Sequence, residues 1–340
     1  MKLAIIGLPE SGRSTIFAAL SGARGEASQK DQRVSTVKVM DERIDFLSGM
    51  FNPKKTTYTQ VEYLLPSETQ GGGSENAIWN QARVCDALIH VIRNFTDAMG
   101  TPPDVKSDFR RLEDEMILSD LMVVDKRLER IELDLKRGKK PDEHEHSLLK
   151  TCKELLENGQ PLRASSEVAT APVLRGFTFL SSKPQLIIVN NDDDNETLPE
   201  LATGPGNIEV CMIRGRLEMD IASMSAEEAK DFLAEYHIEK SALDRVIQSS
   251  YKILNLMSFF TVGEDEVKAW TIKRGTPALE AAGEIHTDIQ KGFIRAEVLS
   301  YADLLQYGSH KEAKKVGRVR LEGKEYVVED GDIINFRFNV

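Results

Sequence analysis

Apolar, often β-branched runs alternate with amphipathic stretches along most of the chain. Residues 2–6, Lys-Leu-Ala-Ile-Ile, read as a buried strand. A glycine-containing loop follows, and the segment from Ser14 to Leu20 reads as a helix. Comparable apolar runs at 34–39, 57–65, 87–92, 185–190 and 208–212 predict further strands, and 75–85 predicts a helix. Strands that alternate with helices in this way predict an α/β fold: a parallel sheet covered on both faces.

The alternation stops near residue 100. Over 108–136, Ile117, Leu121, Val124, Leu128, Ile131 and Leu135 recur at steps of four and three, the a/d spacing of a coiled-coil seam. A turn at 137–142 leads to a second stripe of Leu148, Leu149, Cys152, Leu155 and Leu156. Together they predict an antiparallel helical hairpin inserted into the sheet domain. It reads either as a structural insertion or as a protruding arm that touches a partner.

Helices are expected near 217–222, 226–236 and 240–254. From Phe259 the texture becomes that of a small α+β domain. Strands at 258–262, 267–272, 292–298, 325–328 and 333–338 alternate with helices at 276–283, 300–305 and 309–315.

Composition narrows the function classes. The chain has 340 residues, 44 Lys plus Arg against 55 Asp plus Glu, and a net charge of −11. That length predicts two or three domains. The acidic balance disfavours non-specific nucleic-acid binding, so such binding would need a local basic patch. Cys85, Cys152 and Cys211 are too far apart for a metal motif or a disulfide framework, which fits a reducing, cytoplasmic compartment. The apolar start is cut short by Pro9, Glu10 and Gly12, so it does not read as a secretory signal, and no run reaches the ~20 apolar residues of a membrane helix.

The chemistry concentrates in the first loop. Gly7-Leu8-Pro9-Glu10-Ser11-Gly12-Arg13-Ser14-Thr15 fits the phosphate-binding pattern G-x-x-x-x-G-K-[ST] at Gly7, Gly12 and Ser14, with Arg13 in place of the Lys. Glycines let backbone N–H groups wrap a phosphate chain, and the following helix N-terminus adds partial positive charge. The Ser14 hydroxyl is the expected Mg²⁺ ligand. Arg is wider, planar and differently hydrated from Lys, so its charge is expected to sit elsewhere. The bland alternative is a strand-to-helix turn with no ligand.

Several segments resemble the YchF-type proteins, an Obg-related branch of the P-loop GTPase class. They are the opening MKLAIIGLPESGRSTIF, residues 83–95, the hairpin at 110–163 ending in LLENGQPLR, and residues 177–191. The C-terminal stretches 251–297 and 330–340 (DGDIINFRFNV) carry the resemblance furthest. The resemblance implies a G domain in two parts (1–104 and 166–254), a helical hairpin (105–165) and a ubiquitin-like TGS domain (255–340). It also implies slow hydrolysis of ATP in preference to GTP with Mg²⁺, and association with the ribosome or RNA.

Some positions depart from the family pattern. Leu65 stands where the Asp of an Asp-x-x-Gly motif belongs, and Glu68 where its Gly belongs. The switch segment before residue 34 is shortened. Asn190 matches the Asn of the base-reading motif, Asp193 replaces its Glu, and no Ser-Ala loop precedes Arg214. These changes leave the preferred base open between adenine and guanine. The expected nucleotide-binding residues are Gly7, Pro9, Glu10, Ser11, Gly12, Arg13, Ser14, Thr15, Asn190 and Asp193.

Other candidates read as structural. His286, Thr287 and Asp288 lie in the C-terminal domain without a nucleophile in register, and His144 and His146 are too few for zinc. Lys311, Lys314, Lys315, Arg318, Arg320 and Lys324 form either an RNA-facing patch or a solvated helix face. Three functions follow: a nucleotide-holding module with weak or no hydrolysis, acting on ribosome or RNA; a slow but genuine ATPase or GTPase; or a structural protein with a closed pocket.

Overall fold

The computed structural model describes residues 1–27, 33–67, 76–235 and 241–339. The chain divides into two compact units, one of residues 1–37 and 62–253, the other of 38–61 and 254–340.

The first unit opens with β1 (Lys2–Gly7), α1 (Arg13–Arg24), β2 (Gly25–Ala27) and β3 (Arg33–Lys38). Next in chain order come α2 (Glu42–Phe51) and β4 (Lys55–Thr57), which belong to the second unit. The first unit resumes with β5 (Gln60–Leu65), α3 (Asn76–Arg83), β6 (Ala87–Asn94), α4 (Val105–Lys136), α5 (Glu143–Glu157) and α6 (Ser166–Thr170). It closes with β7 (Gln185–Asn191), β8 (Ile208–Ile213), α7 (Gly215–Ser223), α8 (Ala226–Glu235) and α9 (Ala242–Ile253). The strand order is β2-β3-β5-β1-β6-β7-β8. The pairs β1–β5, β1–β6, β6–β7 and β7–β8 are parallel, as the α/β pattern predicts.

Both faces of this sheet are buried, because its central strands are apolar throughout. Leu3, Ala4, Ile5 and Ile6 are all essentially inaccessible. Ala4, Ile6, Leu64 and Leu88 pack under α3 (Trp79, Ala82) and α4 (Leu112, Met116). On the other face Tyr63 is covered by α9, where its hydroxyl donates to Ser250 Oγ at 3.1 Å.

The hairpin follows the seven-residue period. Ile117, Val124 and Ile131 are buried against Leu148, Leu149, Cys152 and Leu156, with Leu121 and Leu128 half-covered between them. Leu135 ends outside the seam, 45% exposed, because the chain turns away at Gly138 (φ 79°). The base of α4 is held by buried ions. Asp120 accepts from the backbone N–H of Leu180 (3.0 Å) and Ser181 (2.7 Å), from Ser181 Oγ (2.8 Å) and from Arg83 Nη1 (2.9 Å). Glu113 pairs with Arg163 and accepts from Gln185 Nε2 at 2.8 Å.

The second unit continues with β9 (Leu256–Val262), β10 (Glu266–Lys273), α10 (Ala278–Ile285), α11 (Thr287–Lys291), β11 (Phe293–Ser300), α12 (Tyr301–Tyr307), α13 (His310–Lys315), β12 (Arg320–Glu322) and β13 (Asp332–Phe338). Its sheet order is β12-β11-β13-β9-β10-β4. α10 covers one face, through Ala278, Ala281 and Ala282. α2, α12 and α13 cover the other, through Ile44, Leu47, Leu304 and Ala313.

Several expectations change here. The single strand expected at 57–65 is broken at Tyr58-Thr59, so that β4 pairs with β10 and β5 pairs with β1. Residues 38–61, which the sequence assigned to the nucleotide domain, therefore pack with the C-terminal unit. The helix α2 was not expected, although Asp41 caps it by accepting from Arg43 N–H, and Ile44 and Leu47 face inward three apart. The strand expected at 325–328 is instead an isolated bridge from Val327 to Pro277, and β12 lies earlier.

Candidate functional site

The loop between β1 and α1 has the shape that its glycines require. Gly7 ends β1 opposite Val91 of β6, and a Cβ there would stand 2.5 Å from Val91 O and 2.6 Å from Ser11 Oγ. Gly12 has φ +92°, the left-handed side of backbone space, where a side chain is strained. Glu10 takes φ 63° between them, and Pro9 and Glu10 are exposed. Ser11 N–H donates to Leu8 O (3.2 Å) and Ile16 N–H to Gly12 O (3.0 Å), so the loop turns directly into the 12-residue α1. The helix N-terminus thereby faces the loop, a ready anion site.

Ser11 is 2% exposed and its Oγ has no hydrogen-bond partner among the described residues. A buried hydroxyl without a partner costs about 1–3 kcal/mol, so this loop gains from an arriving acceptor. Arg13 is the first residue of α1, and its Cγ lies 3.2 Å from the position of a Gly7 Cβ. The stem of Arg13 thus runs back over the loop. Ser14 is exposed and Thr15 half-buried in the same turn.

Asn190 joins the two ends of this site. It is the penultimate residue of β7, where it is 4% exposed. Its Nδ2 donates to Ser11 O at 3.1 Å, and its Oδ1 accepts from Gly215 N–H at 2.9 Å. One amide therefore ties the loop between β1 and α1 to the start of α7. Sequence reasoning assigned Asn190 to base reading and missed this tether. The available signal was Gly215 opening a helix, where a Cβ would stand 2.7 Å from Asn190 Oδ1. Asp193 lies two residues beyond β7, exposed, and its Oδ1 accepts from Leu217 N–H at 3.3 Å. The structure thus gives Asp193 a capping position on the first turn of α7. Arg214, ahead of α7, donates to Asp193 O (3.3 Å) and pairs with Glu196 (3.0 Å).

Among the described residues, the end of β5 places no acid at this loop. Leu65 is 4% exposed at the end of β5, and Ser67 is clamped through both backbone groups to the Gln81 amide (3.2 and 3.0 Å). Glu68 and Glu75 lie outside the described residues. Among the described residues no group of three or more His, Cys, Asp or Glu is placed to hold a metal. Ser14 lies exposed in the first turn of α1. His286 caps α11 through Nδ1, which accepts from Asp288 N–H at 3.1 Å, and His144 and His146 lie at the start of α5. No helix among the described residues is long and apolar enough to cross a membrane.

A family described as "YchF-GTPase_C: Protein of unknown function (DUF933)" matches residues 256–339. The chain is 38% identical over 361 residues to the "Ribosome-binding ATPase YchF" of Bacillus subtilis (strain 168), covering 99% of this chain and 98% of that protein. It is 36% identical to the protein of the same name in Escherichia coli O157:H7, covering 100% of this chain and 99% of that one. Its fold superposes on the Schizosaccharomyces pombe YchF GTPase with a TM-score of 0.85 at 29% identity, over 99% and 97% of the two chains.

Proposed function

Because the chain belongs to the YchF family, we propose that it holds ATP or GTP in the Gly7–Thr15 loop, hydrolyses it poorly or not at all, and acts on the ribosome. The observation that carries the reading is the Asn190 tether. A turn with no ligand has no need of a buried amide that fixes it to a second helix start. The unpaired Ser11 hydroxyl supports the same view.

Each residue has a role in this reading. Backbone N–H groups from Gly7 to Ser14 wrap the phosphates, and the start of α1 supplies partial positive charge. Arg13 supplies the full charge from a side chain that leaves the helix over Gly7. Mg²⁺, which helps to neutralise the phosphates when bound, would meet Ser14 Oγ. Leu65 offers no acceptor where the family's Asp holds that metal, and loss of one fixed charge-stabilising group costs ~10²–10³ in rate. Weak turnover follows from those two positions. Asp193, braced on α7, stands at the acid position of the base-reading motif, and the base it would meet is adenine or guanine. The ribosome enters from the names of the relatives, and the C-terminal unit, as a TGS-type domain, is the part proposed to meet it.

The test is calorimetric titration of nucleotide-stripped protein with ATP, GTP and their diphosphates, with and without Mg²⁺. Micromolar binding with slow turnover is expected. No binding at millimolar nucleotide overturns the reading in favour of a closed structural pocket. Rapid metal-dependent turnover, abolished by Ser14→Ala, overturns the weak-hydrolysis part in favour of a working enzyme.

A further inference from the structure

The first unit has a second concavity, at the opposite end of its sheet from the Gly7–Thr15 loop. Val91 and Asn190, which meet that loop, lie towards the C-terminal ends of β6 and β7. The cavity lies at the other ends of the same two strands. Its walls are the last turn of α3, α6, the 3-10 helix Pro172–Phe177 and the loop that enters β7. Its volume is about 360 Å³. Small-molecule sites span ~300–1,000 Å³.

The floor is apolar and belongs to the core at the hairpin base. Val168, Leu174 and Phe179 are buried there in one cluster with Cys152 and Leu156 of α5. Cys85 closes the floor ahead of β6. Burial pushes its thiol up to about 11, so it stays protonated and unreactive.

The rim is cationic. Arg83, Arg175 and Lys183 line it, and Asp86 is the one carboxylate among the lining residues. Arg83 is already satisfied, for it pairs with Asp120 at 2.9 Å and donates to Ser119 Oγ at 2.8 Å. Lys183 is not. It is half-buried, and its Nζ donates to Cys85 O. An ammonium has three donors, so two remain. Asp86 and Asp120 act on it only from beyond ion-pair distance, and burial, the larger influence, lowers its pKa. A half-buried cation without a close counter-charge gains from an arriving anion. Arg175 is exposed and has no ion-pair partner among the described residues.

The chain takes a strained course to make this arrangement. Thr178 ends the 3-10 helix at φ 51°, ψ 43°, a left-handed conformation that a β-branched residue rarely adopts. Arg83 Nη1 holds it there by donating to Thr178 O at 3.2 Å. The reversal brings Arg175, before it, and Lys183, after it, to one cavity. Backbone strain of this kind gathers at ligand sites.

We propose that this cavity binds a small organic carboxylate, with the carboxyl group on Lys183 and an apolar body over Val168, Leu174 and Phe179. One half-buried ammonium balances one negative charge, which matches a monoanion rather than the phosphates of a nucleotide. The volume suits a short aromatic or branched aliphatic acid. The site shares no residue with the nucleotide loop and stands independently of the function proposed for that loop.

The experiment is ligand-observed NMR and calorimetry on the full chain, with phenylacetate and isovalerate as probes and phenylacetamide as the uncharged control. The variants are Lys183→Met, which keeps the stem and removes the charge, and Ala169→Trp, which fills the cavity from an exposed position on α6. Phenylacetate is expected to bind at millimolar concentration or below. Both variants should lose about tenfold or more in affinity for it, and the amide should bind the wild type about tenfold or more weakly than the acid. Ala169→Trp carries the test if Lys183→Met does not fold. Equal affinity in the wild type and the variants places the acid elsewhere and overturns the proposal. Equal affinity for acid and amide overturns it too, and so does the absence of binding for both acids at millimolar concentration, whatever the nucleotide titrations give.

Discussion

The Asn190 side chain occupies the space that a side chain on Gly12 would need. A Cβ on Gly12 would stand 2.2 Å from Asn190 Nδ2, and Gly12 holds φ +92°. The same Asn190 amide donates to Ser11 O and accepts from Gly215 N–H. A glycine on one side and an amide on the other are two halves of one device, which sets the curvature of the loop between β1 and α1.

That device predicts a graded response. Gly12→Ala must move either the loop or Asn190, and nucleotide affinity measured by calorimetry should fall at least tenfold. Asn190→Ala keeps the loop sterically possible but orphans Gly215 N–H. It should cost ~1–3 kcal/mol of stability in chemical denaturation, together with a loss of nucleotide affinity. Wild-type affinity in both variants would show that the tether has no part in binding.

Arg13 sets the second prediction. If its guanidinium is the phosphate charge, Arg13→Ala should weaken triphosphate binding about tenfold or more, while Arg13→Lys should retain binding and retain or raise any turnover. Equal behaviour of both variants and the parent would remove Arg13 from the site.

His90 gives a pH dependence. It is buried on β6, stacked on Phe109 with ring centroids 5.6 Å apart, and its Nδ1 has no partner among the described residues. Burial, and secondarily the Arg163 charge, lowers its pKa to about 3. The unfolded chain, with a histidine pKa near ~6.5, takes up a proton that the folded chain refuses. The contribution of His90 is therefore complete above pH ~6.5 and is lost as pH falls towards 3, at up to ~1.4 kcal/mol per pH unit. His90→Leu should flatten the stability curve across that window, read as denaturation midpoints at several pH values. An unchanged slope would place the titration elsewhere.

Asp120 gives a stability prediction. It is fully buried and accepts four hydrogen bonds, one from Arg83. Asp120→Asn replaces one acceptor oxygen by a donor that faces donors, and leaves Arg83 without its counter-charge. Removing one partner of a buried pair costs ~3–5 kcal/mol. The same order of loss is expected in denaturant unfolding, and a loss below ~1 kcal/mol would show that the network is dispensable.

Much of this protein is legible in the order of its residues. The apolar run Leu3–Ile6, the glycines of the loop and the seven-residue period Ile117–Val124–Ile131 each specify an element through local rules: burial of a strand, backbone freedom and helical repeat. The phosphate loop is such a local motif, and so is its departure at Arg13. Interactions between distant residues decided the rest. Tyr58-Thr59 looks like the start of one strand, because two strands in series have the same alternation as one; only their pairing with different strands separates β4 from β5 and carries residues 38–61 into the second unit. The tether of Asn190 to Ser11 and Gly215 spans 179 and 25 residues. Lys183 likewise reaches Cys85 O across 98 residues, because β6 and β7 start side by side. Composition and periodicity record what each segment prefers alone; which segments meet is settled when their buried faces compete for the same cores.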